Sequence, residues 1–229
     1  FRLTKKDVER LAGKYPTPFV VISLAQVERN YDFLKRCMPR VHVYYAMKAN
    51  PAPRIIETLA RRGASFDTAS AGEIETLARM GIAGTRMIYA NPVKTPQGLA
   101  AAAQFGVRRF TFDDRSEIKK MAEAVPGAEV LVRVRVKNQK ALVDLNAKFG
   151  AEPEEAIPLL LEAKAAGLSP AGVCFHVGSQ SLSVAAYHDA LHLMRRLFDE
   201  AAKSGMTLSL MDIGGGFPIP TADGGHPDA

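Results

Sequence analysis

The sequence predicts an α/β fold built around a parallel β-sheet. From residue 41 onward, seven apolar strand-like runs alternate with helical patterns, and a helix follows each of the first six runs. Many of the runs end at polar residues or at glycine, as strands do in folds that bind ligands at the carboxyl edge of a sheet. No linker or low-complexity tract divides the chain. Alternation alone leaves two architectures open, a doubly wound sheet and a (β/α)₈ barrel.

The individual elements follow from periodicity, capping residues and breakers. A short strand over residues 19–22 and a helix over 24–37 precede the alternating part. The predicted strands then cover residues 41–48, 64–67, 86–90, 107–112, 129–136, 171–177 and 208–213. The predicted helices cover residues 53–62, 70–80, 96–105, a stretch beginning at 114, 153–166 and 184–203. Two of them open with capping boxes, Ser70 with Glu73 and Asp114 with Glu117.

Two segments carry no regular pattern. Residues 137–150 are polar and irregular, which predicts a long loop with a functional or interface role. Residues 221–229 are rich in glycine, proline and aspartate and are also predicted to form a loop. A barrel needs an eighth strand after residue 213, so we expect this sequence to be part of a longer protein.

Composition excludes several functional classes. The 229 residues are 47% hydrophobic and 24% charged, which is ordinary for a globular domain. The net charge of +6 is spread over helices, so no basic tract predicts nucleic-acid binding. The two cysteines, Cys37 and Cys174, form neither a disulfide framework nor a metal-binding pattern, and a cytoplasmic protein is expected. No run is long enough to predict a membrane span or a signal peptide.

Lys48 ends the strand around which the chain is organised. The strand runs from Val41 through aromatic and apolar residues and stops at Asn50 and Pro51. Lysine is strongly hydrated, and a lysine at a strand end that loses water can lose its proton and attack an aldehyde. The plainer interpretation is a lysine whose stem is buried and whose amine reaches solvent.

Three consecutive glycines follow the last strand, at Gly214, Gly215 and Gly216. Each costs backbone entropy on folding, but together they let backbone N–H groups approach an anion with no side chain in the way. In barrels this position often binds phosphate. The alternative is a sharp turn that needs positive φ. Ser179, after Gly178 and one strand earlier, adds a hydroxyl donor.

His176 and Arg133 complete the candidate residues. His176 ends an apolar strand, where it is either a hydrogen-bonded core residue or a ring that faces an aromatic cofactor. Arg133 and Arg135 alternate with valines and lie on one face of their strand, which is either solvated or turned to the barrel interior. A reactive lysine with a phosphate site is what pyridoxal 5′-phosphate (PLP) requires.

Six motifs in register resemble the ornithine decarboxylase family, which has the alanine-racemase-like fold of PLP enzymes. They are Y-A-M-K-A-N at residues 45–50, F-D-x-A-S-x-x-E-I at 66–74, R-M-I-Y-A-N-P-V-K at 86–94, K-F-G at 148–150, F-H-V-G-S at 175–179 and L-x-D-I-G-G-G-F-P at 210–218. The likeness runs from about residue 16 to residue 218.

The resemblance implies a TIM-type (β/α)₈ barrel, here truncated before its last strand and before a C-terminal β-domain. Residues 1–23 would lead into the barrel, and residues 24–229 would form the incomplete PLP-binding domain. The resemblance also implies a role for each candidate residue. Lys48 would bind the cofactor covalently, and His176 would stack on its ring. Ser179 and Gly214 to Gly216 would hold its phosphate, and Arg133 would lie near its phenolic oxygen. Asp67 and Glu73 would lie near the Schiff base, and Lys148 would belong to a dimer contact.

The family's remaining active-site residues are absent from this sequence. They are the carboxylate that pairs with the pyridine nitrogen, the substrate-binding acid and a proton-donating cysteine, which the resemblance places beyond residue 229. The predicted function is PLP-dependent decarboxylation of a basic amino acid, L-ornithine to putrescine, by a homodimer. Lysine, arginine or diaminopimelate decarboxylase, a non-catalytic antizyme-inhibitor-like relative, and a PLP carrier or racemase are the alternatives.

Overall fold

The computed structural model describes residues 2–136 and 148–219. The helices in this part are α1 Lys5–Ala12, α2 Leu24–Cys37, α3 Pro53–Arg61, α4 Ala71–Arg79, α5 Pro96–Gln104, α6 Arg115–Ala124, α7 Ala156–Ala165 and α8 Val184–Lys203. The strands are β1 Tyr44–Ala46, β2 Ser65–Thr68, β3 Met87–Tyr89, β4 Arg109–Phe112, β5 Glu129–Arg133, β6 Ser169–Cys174 and β7 Leu210–Asp212. None of these helices is long and apolar enough to cross a membrane.

The strands lie in the sheet in the order in which they occur in the chain. The pairs β3–β4, β4–β5, β5–β6 and β6–β7 are parallel, with helices in the connections. A doubly wound sheet reverses direction at a switch point, so its strand order differs from chain order. Sequential order is that of a (β/α) barrel, which decides between the two architectures that the alternation left open.

The chain divides into two compact units, residues 1–66 and the part that begins at residue 67. The first unit holds α1, α2, β1 and α3. One hydrophobic cluster in it consists of three buried side chains and five partly buried ones, which are Ile55, Leu59 and Ala64 with Leu24, Val27, Tyr31, Tyr45 and Ala52. A capping box between Thr4 and Asp7 opens α1. The sequence analysis did not predict this helix.

The predicted strand at residues 19–22 is wrong. This segment has no strand pairing, and Val20 is 88% exposed. Its β-forming residues follow Pro16 and Pro18, and intrinsic preference alone does not make a strand where no neighbour accepts the backbone hydrogen bonds.

In the second unit, β4, β5 and β6 carry continuous buried runs. Phe110, Thr111 and Phe112 are buried in β4, and residues 130–132 and 171–174 are buried in β5 and β6. Parallel strands covered on both faces have this pattern. Helices α5 to α8 each bury one apolar side. The strands that the periodicity identified therefore form the centre of this unit.

Strands β5 and β6 end earlier than predicted. The sequence predicted a strand to residue 136, but β5 ends at Arg133, and Val134 instead bridges Ala151 from the segment after the irregular loop. The sequence also predicted a strand to residue 177, but β6 ends at Cys174. The predicted loop at 137–150 lies outside the described residues except for its last three, and the predicted loop at 221–229 lies entirely outside them.

Candidate active site

The glycine run follows β7 and is held in a left-handed backbone. Gly214 has φ of +66° and Gly216 has φ of +87°, values that favour glycine. The Gly214 N–H donates to Asp212 Oδ1 at 2.8 Å, so this donor is already satisfied by the protein. The N–H groups of Gly215 and Gly216 have no hydrogen-bond partner in the part of the chain that the structure describes. They are the donors of this run available to a ligand.

The loop after β6 lies directly against this glycine run. A Cβ atom on Gly216 would overlap the carbonyl oxygen of Gly178 and would lie 3.3 Å from His176 Cε1. The Ser181 N–H donates to the Gly216 carbonyl at 2.9 Å. The Gln180 side chain bonds both backbone groups of Ile219, donating at 3.3 Å and accepting at 3.1 Å. The two loops therefore form one surface, on which only glycine fits at position 216.

His176 lies just past the end of β6 and is partly buried. Its Nδ1 accepts a hydrogen bond from the Gly178 N–H at 2.9 Å. This bond assigns the proton of the neutral ring to Nε2, and it fixes the ring beside Gly216. The local bond also turns the backbone out of the strand, which explains why β6 stops before His176. Ser179 is partly buried in the same loop.

Arg133 ends β5 with an unsatisfied donor. Its guanidinium lies over the Phe149 ring, with Cζ 5.0 Å from the ring centroid, a cation–π distance. Its Nη2 is buried without a hydrogen-bond partner among the described residues. Buried donors are rarely left unpaired, so this atom marks a position for an acceptor from a ligand. Arg135 has one side-chain partner, because its Nη1 pairs with Glu152 at 2.5 Å, but its Nε is likewise buried without a partner among the described residues.

Charged groups from four strand ends act on the buried Cys174 thiol. Burial raises the pKa of Cys174 well above its ordinary value, and the carboxylates of Asp212, Asp113 and Asp67 raise it further, while Arg133 lowers it. Burial also raises the pKa of Asp212, against the Gly214 hydrogen bond and Arg133. The carboxyl ends of these strands thus all contribute charge to the surroundings of Cys174.

Asp67 and Glu73 have different surroundings. Asp67 lies in β2 and is partly buried. Glu73 lies in the first turn of α4, where its Oε2 accepts the Ala69 N–H at 2.6 Å and its own N–H meets the Ser70 hydroxyl. The predicted capping box is thus only half formed, because Ser70 caps the helix but the Glu73 carboxylate binds the Ala69 N–H and not that of Ser70. This contact accounts for the side chain without a ligand. The predicted box of Asp114 with Glu117 is wrong, because Asp114 accepts the Ser116 N–H and the Glu117 carboxylate binds Lys94 and Lys120.

Lys48 lies in the first compact unit, on the turn after β1. The strand ends at Ala46, two residues earlier than predicted, and the Ala49 N–H closes the turn on the Ala46 carbonyl at 3.0 Å. The side chain of Asn50 accepts the Ala52 N–H at 3.0 Å and fixes the exit of the turn. Lys48 is exposed, so in this structure its amine is available to react but is not desolvated.

Asp212, Asp113 and Phe149 were not among the site residues predicted from the sequence. Asp113 accepts the Gly150 N–H at 2.8 Å, which attaches the K-F-G segment to the end of β4. Gly150 has φ of +97°, and a Cβ there would press on the backbone of Arg135. In the sequence, the available signal for the two aspartates was their position, because each is a polar residue at or just after the end of an apolar strand. No local signal pairs Phe149 with Arg133.

The arrangement fits an aromatic phosphate ester. Two free N–H groups and a serine hydroxyl suit a phosphate, the orphaned Arg133 donor suits an oxyanion on a ring, and the His176 ring offers a flat surface. The roles of these residues stay predictions, but their chemistry matches the group that the sequence implied.

Comparison with known proteins supports this assignment. The family model for the pyridoxal binding domain of pyridoxal-dependent decarboxylases matches residues 24–228. The chain is 62% identical to the lysine/ornithine decarboxylase of Selenomonas ruminantium over 98% of its own length and 57% of that protein. The chain spans about half the length of the curated relatives it matches.

Solved structures agree with the family model. The structure of SrLDC in complex with PLP and cadaverine has a TM-score of 0.93 at 59% identity, over 98% of this chain and 57% of that one. The lysine/ornithine decarboxylase of Vibrio vulnificus in complex with putrescine has a TM-score of 0.89 at 30% identity, over 99% of this chain and 61% of that one. The predicted fold, a TIM-type PLP barrel that is incomplete in this sequence, is confirmed.

Proposed function

We propose that this chain, which belongs to the pyridoxal-dependent decarboxylase family, is the cofactor-binding part of an enzyme that decarboxylates a basic amino acid. The observation that carries the proposal is the joined surface of the two loops after β6 and β7. There, Gly216 lies beside the ring of His176, and the N–H groups of Gly215 and Gly216 have no partner among the described residues. Backbone N–H groups that no group of the described chain occupies can donate to a phosphate at this loop.

The cofactor of this family, PLP, withdraws electrons from the substrate's α-carbon, and the protein supplies binding and orientation. We assign covalent attachment of the aldehyde to Lys48 on the family resemblance and on its exposed position. The phosphate is assigned to Gly215, Gly216 and Ser179. Of the predicted glycines, Gly214 contributes shape rather than a donor, because its N–H is held by Asp212.

Arg133 and His176 are assigned to the ring of the cofactor. The buried Nη2 of Arg133 has a free proton for the phenolic oxygen, and Phe149 supports the guanidinium from one side. The Nδ1 of His176 is occupied by the Gly178 N–H, so the ring is fixed in direction and keeps its proton on Nε2. Stacking therefore requires no reorganisation of the histidine. Asp67 and Glu73 are assigned to the neighbourhood of the Schiff base on the resemblance alone.

L-Ornithine is the proposed substrate and putrescine the product. L-Lysine is the second candidate, because the Selenomonas relative at 62% identity is a lysine/ornithine decarboxylase. Both substrates carry a second amine on an aliphatic chain, and they differ by one methylene. A hydrophobic pocket discriminates one methylene by about 10- to 200-fold, so activity on both is expected, with a preference for ornithine.

We also propose a homodimer in the cytoplasm, with Lys148 at the dimer contact. Lys148 is exposed, and its Nζ lies 5.1 Å from the centroid of the Phe149 ring. Both free cysteines suit a reducing compartment, with Cys37 exposed and Cys174 buried. Sedimentation of the intact protein with and without Lys148→Glu tests the dimer, because a charge reversal at a contact weakens association.

The test of the proposed function is a decarboxylation assay on the intact protein. The protein is loaded with PLP, and release of CO₂ is measured with L-ornithine, L-lysine, L-arginine and meso-diaminopimelate, with chromatography of the amine product. Putrescine from ornithine at the highest kcat/KM is the expected result. Failure to bind PLP would identify the non-catalytic relative instead. Bound PLP without release of CO₂ from any of the four would point to a carrier or racemase.

A further inference from the structure

Tyr187 contacts the glycine run from outside. It lies in the first turn of α8, and its hydroxyl donates to the carbonyl oxygen of Gly215 at 2.8 Å. Its ring stacks on Phe217, which follows the glycines, with ring centroids 5.3 Å apart and planes 5° from parallel. Burial raises the pKa of Tyr187 to about 12, so the hydroxyl keeps its proton and remains a donor at neutral pH.

A run of three glycines needs external contacts to keep one conformation. Glycine has no side chain to restrict its backbone, and it loses more freedom on folding than other residues. Among the described residues, three hydrogen bonds hold this run, one for each glycine. Asp212 accepts the Gly214 N–H, Tyr187 donates to the Gly215 carbonyl, and the Ser181 N–H donates to the Gly216 carbonyl. The contact made by Tyr187 can be removed with a single conservative substitution, Tyr187→Phe.

The Gly215 carbonyl determines where the Gly216 N–H points. Both groups belong to one planar trans peptide, so they point in opposite directions. When Tyr187 holds the carbonyl on the α8 side, the N–H is turned to the other side of the loop. This N–H is one of the two unpaired donors of the run in the part of the chain that the structure describes. The tyrosine hydroxyl thus acts on the donor without touching a ligand there.

We propose that Tyr187 is a positioning residue of the phosphate site, whose hydroxyl orients the Gly215–Gly216 peptide so that the Gly216 N–H is directed at the phosphate of PLP. The inference rests on the proposed function, because it assumes that the ligand of the glycine run is a phosphate ester. Tyr187 itself touches neither the phosphate nor the reacting atoms. Its role is to set the direction of a backbone dipole before the ligand arrives.

The test compares PLP with pyridoxal, which has the same ring and aldehyde but no phosphate. Tyr187→Phe keeps the ring on Phe217 and removes only the hydroxyl. We expect affinity for PLP to fall by roughly 3- to 10-fold, the range of one neutral hydrogen bond, and affinity for pyridoxal to stay unchanged. The ³¹P resonance of bound PLP should shift, because the donor at the phosphate has turned. Tyr15→Phe, at an exposed tyrosine of the first compact unit, is the matched control.

The outcomes separate the two proposals. Equal loss for PLP and pyridoxal would assign Tyr187 a general structural role and overturn the inference. Unchanged affinity for PLP with an unchanged ³¹P resonance would overturn it as well. In both cases the unaltered protein still binds PLP, so the proposed function stands. If the unaltered protein binds neither compound, the proposed function and this inference fail together.

Discussion

Lys48 and Lys94 both follow strand ends, and their surroundings are opposite. Lys48, on the turn after β1, is exposed. Lys94, in the loop after β3, has a fully buried side chain whose Nζ donates to the carbonyls of Pro92 and Thr111 at 2.7 Å and lies 3.1 Å from Glu117. Glu117 in turn binds Lys120 from the next turn of α6. The first amine has water around it, and the second is enclosed by acceptors.

The difference teaches that a lysine at a strand end is not by itself a reactive lysine. Burial lowers the pKa of Lys94 to about 8, opposed by Glu117, so it is Lys94 that shows the desolvation effect which the sequence suggested for Lys48. Yet Lys94 has its hydrogen-bond donors engaged and no path to a ligand's aldehyde. Accessibility, not a lowered pKa alone, separates a nucleophile from a structural cation.

Replacement of Lys48 is expected to have the largest effect on activity. Lys48→Ala removes the only amine assigned to the aldehyde, and we expect kcat/KM for ornithine to fall by more than about a thousandfold, since each tenfold is ~1.4 kcal/mol of barrier. Lys119→Ala, at an exposed lysine of α6, should leave it unchanged. Steady-state kinetics on both variants checks this. Retained activity in Lys48→Ala would show that Lys48 is not the reactive lysine.

Replacement of Lys94 is expected to have the largest effect on stability. Lys94→Met leaves the buried Glu117 with Lys120 and the backbone N–H of residue 94 as its partners, and loss of one member of a buried pair typically costs about 3–5 kcal/mol. Lys120→Met should cost less, because the Lys120 side chain is 37% exposed. Denaturant unfolding of both variants measures the difference. A Lys94→Met protein as stable as the unaltered one would show that the buried network is not structural. Because replacement of Lys94 is expected to destabilise the protein, a Lys94 variant is a poor control for the activity assay.

The burial of Lys94 also predicts how the unfolding free energy depends on pH. The pKa of Lys94 is about 8 in the folded chain and about 10.5 when exposed, so between these values the unfolded chain binds more protons than the folded one. Stability contributed by Lys94 must then rise with pH across this window, by at most about 1.4 kcal/mol per pH unit. The measurement is the unfolding free energy of the unaltered protein minus that of Lys94→Met, from pH 8 to 10.5. A difference that falls with pH would refute the assignment.

Within the glycine run, the neighbouring residues Gly215 and Gly216 also differ in how closely other atoms surround them. A Cβ at Gly215 meets no atom within 4 Å, whereas one at Gly216 overlaps Gly178. Gly215→Val should therefore leave the unfolding temperature nearly unchanged but weaken PLP binding several-fold, because it fills space that the phosphate uses. Gly216→Val should lower both. Fluorescence titration and thermal unfolding distinguish the two. Unchanged PLP affinity in Gly215→Val would count against a phosphate at this loop.

Much of the fold could be predicted from local signals. The buried runs of β4 and β5 and the capping residues Ser70 and Asp114 each predict the element that the structure contains. One failure is the strand predicted at residues 19–22, which has strand propensity and no partner to pair with. The ends of β5 and β6 were misplaced for a related reason, since Ala151 and the His176–Gly178 hydrogen bond redirect the backbone there.

The site residues that follow predicted strands could be identified from the sequence. The contacts between site residues that are far apart in the chain could not. Lys48, His176, Ser179 and the glycines follow strands directly, so chain order identifies them. The contact of Tyr187 with Gly215 spans 28 positions, and that of Arg133 with Phe149 crosses the irregular loop. Such pairs require the tertiary structure, and so does the burial of Lys94, which its sequence surroundings did not indicate.

The central claim is that Lys48, and not the buried Lys94, carries the cofactor. The most direct measurement is reduction of the PLP-loaded intact protein with borohydride, followed by proteolysis and mass spectrometry, since reduction makes the lysine–aldehyde bond permanent. The account predicts the pyridoxyl mass on the peptide that contains Lys48, with none on the peptide that contains Lys94. Label on Lys94 or any other lysine, or no label on a protein saturated with PLP, would contradict it.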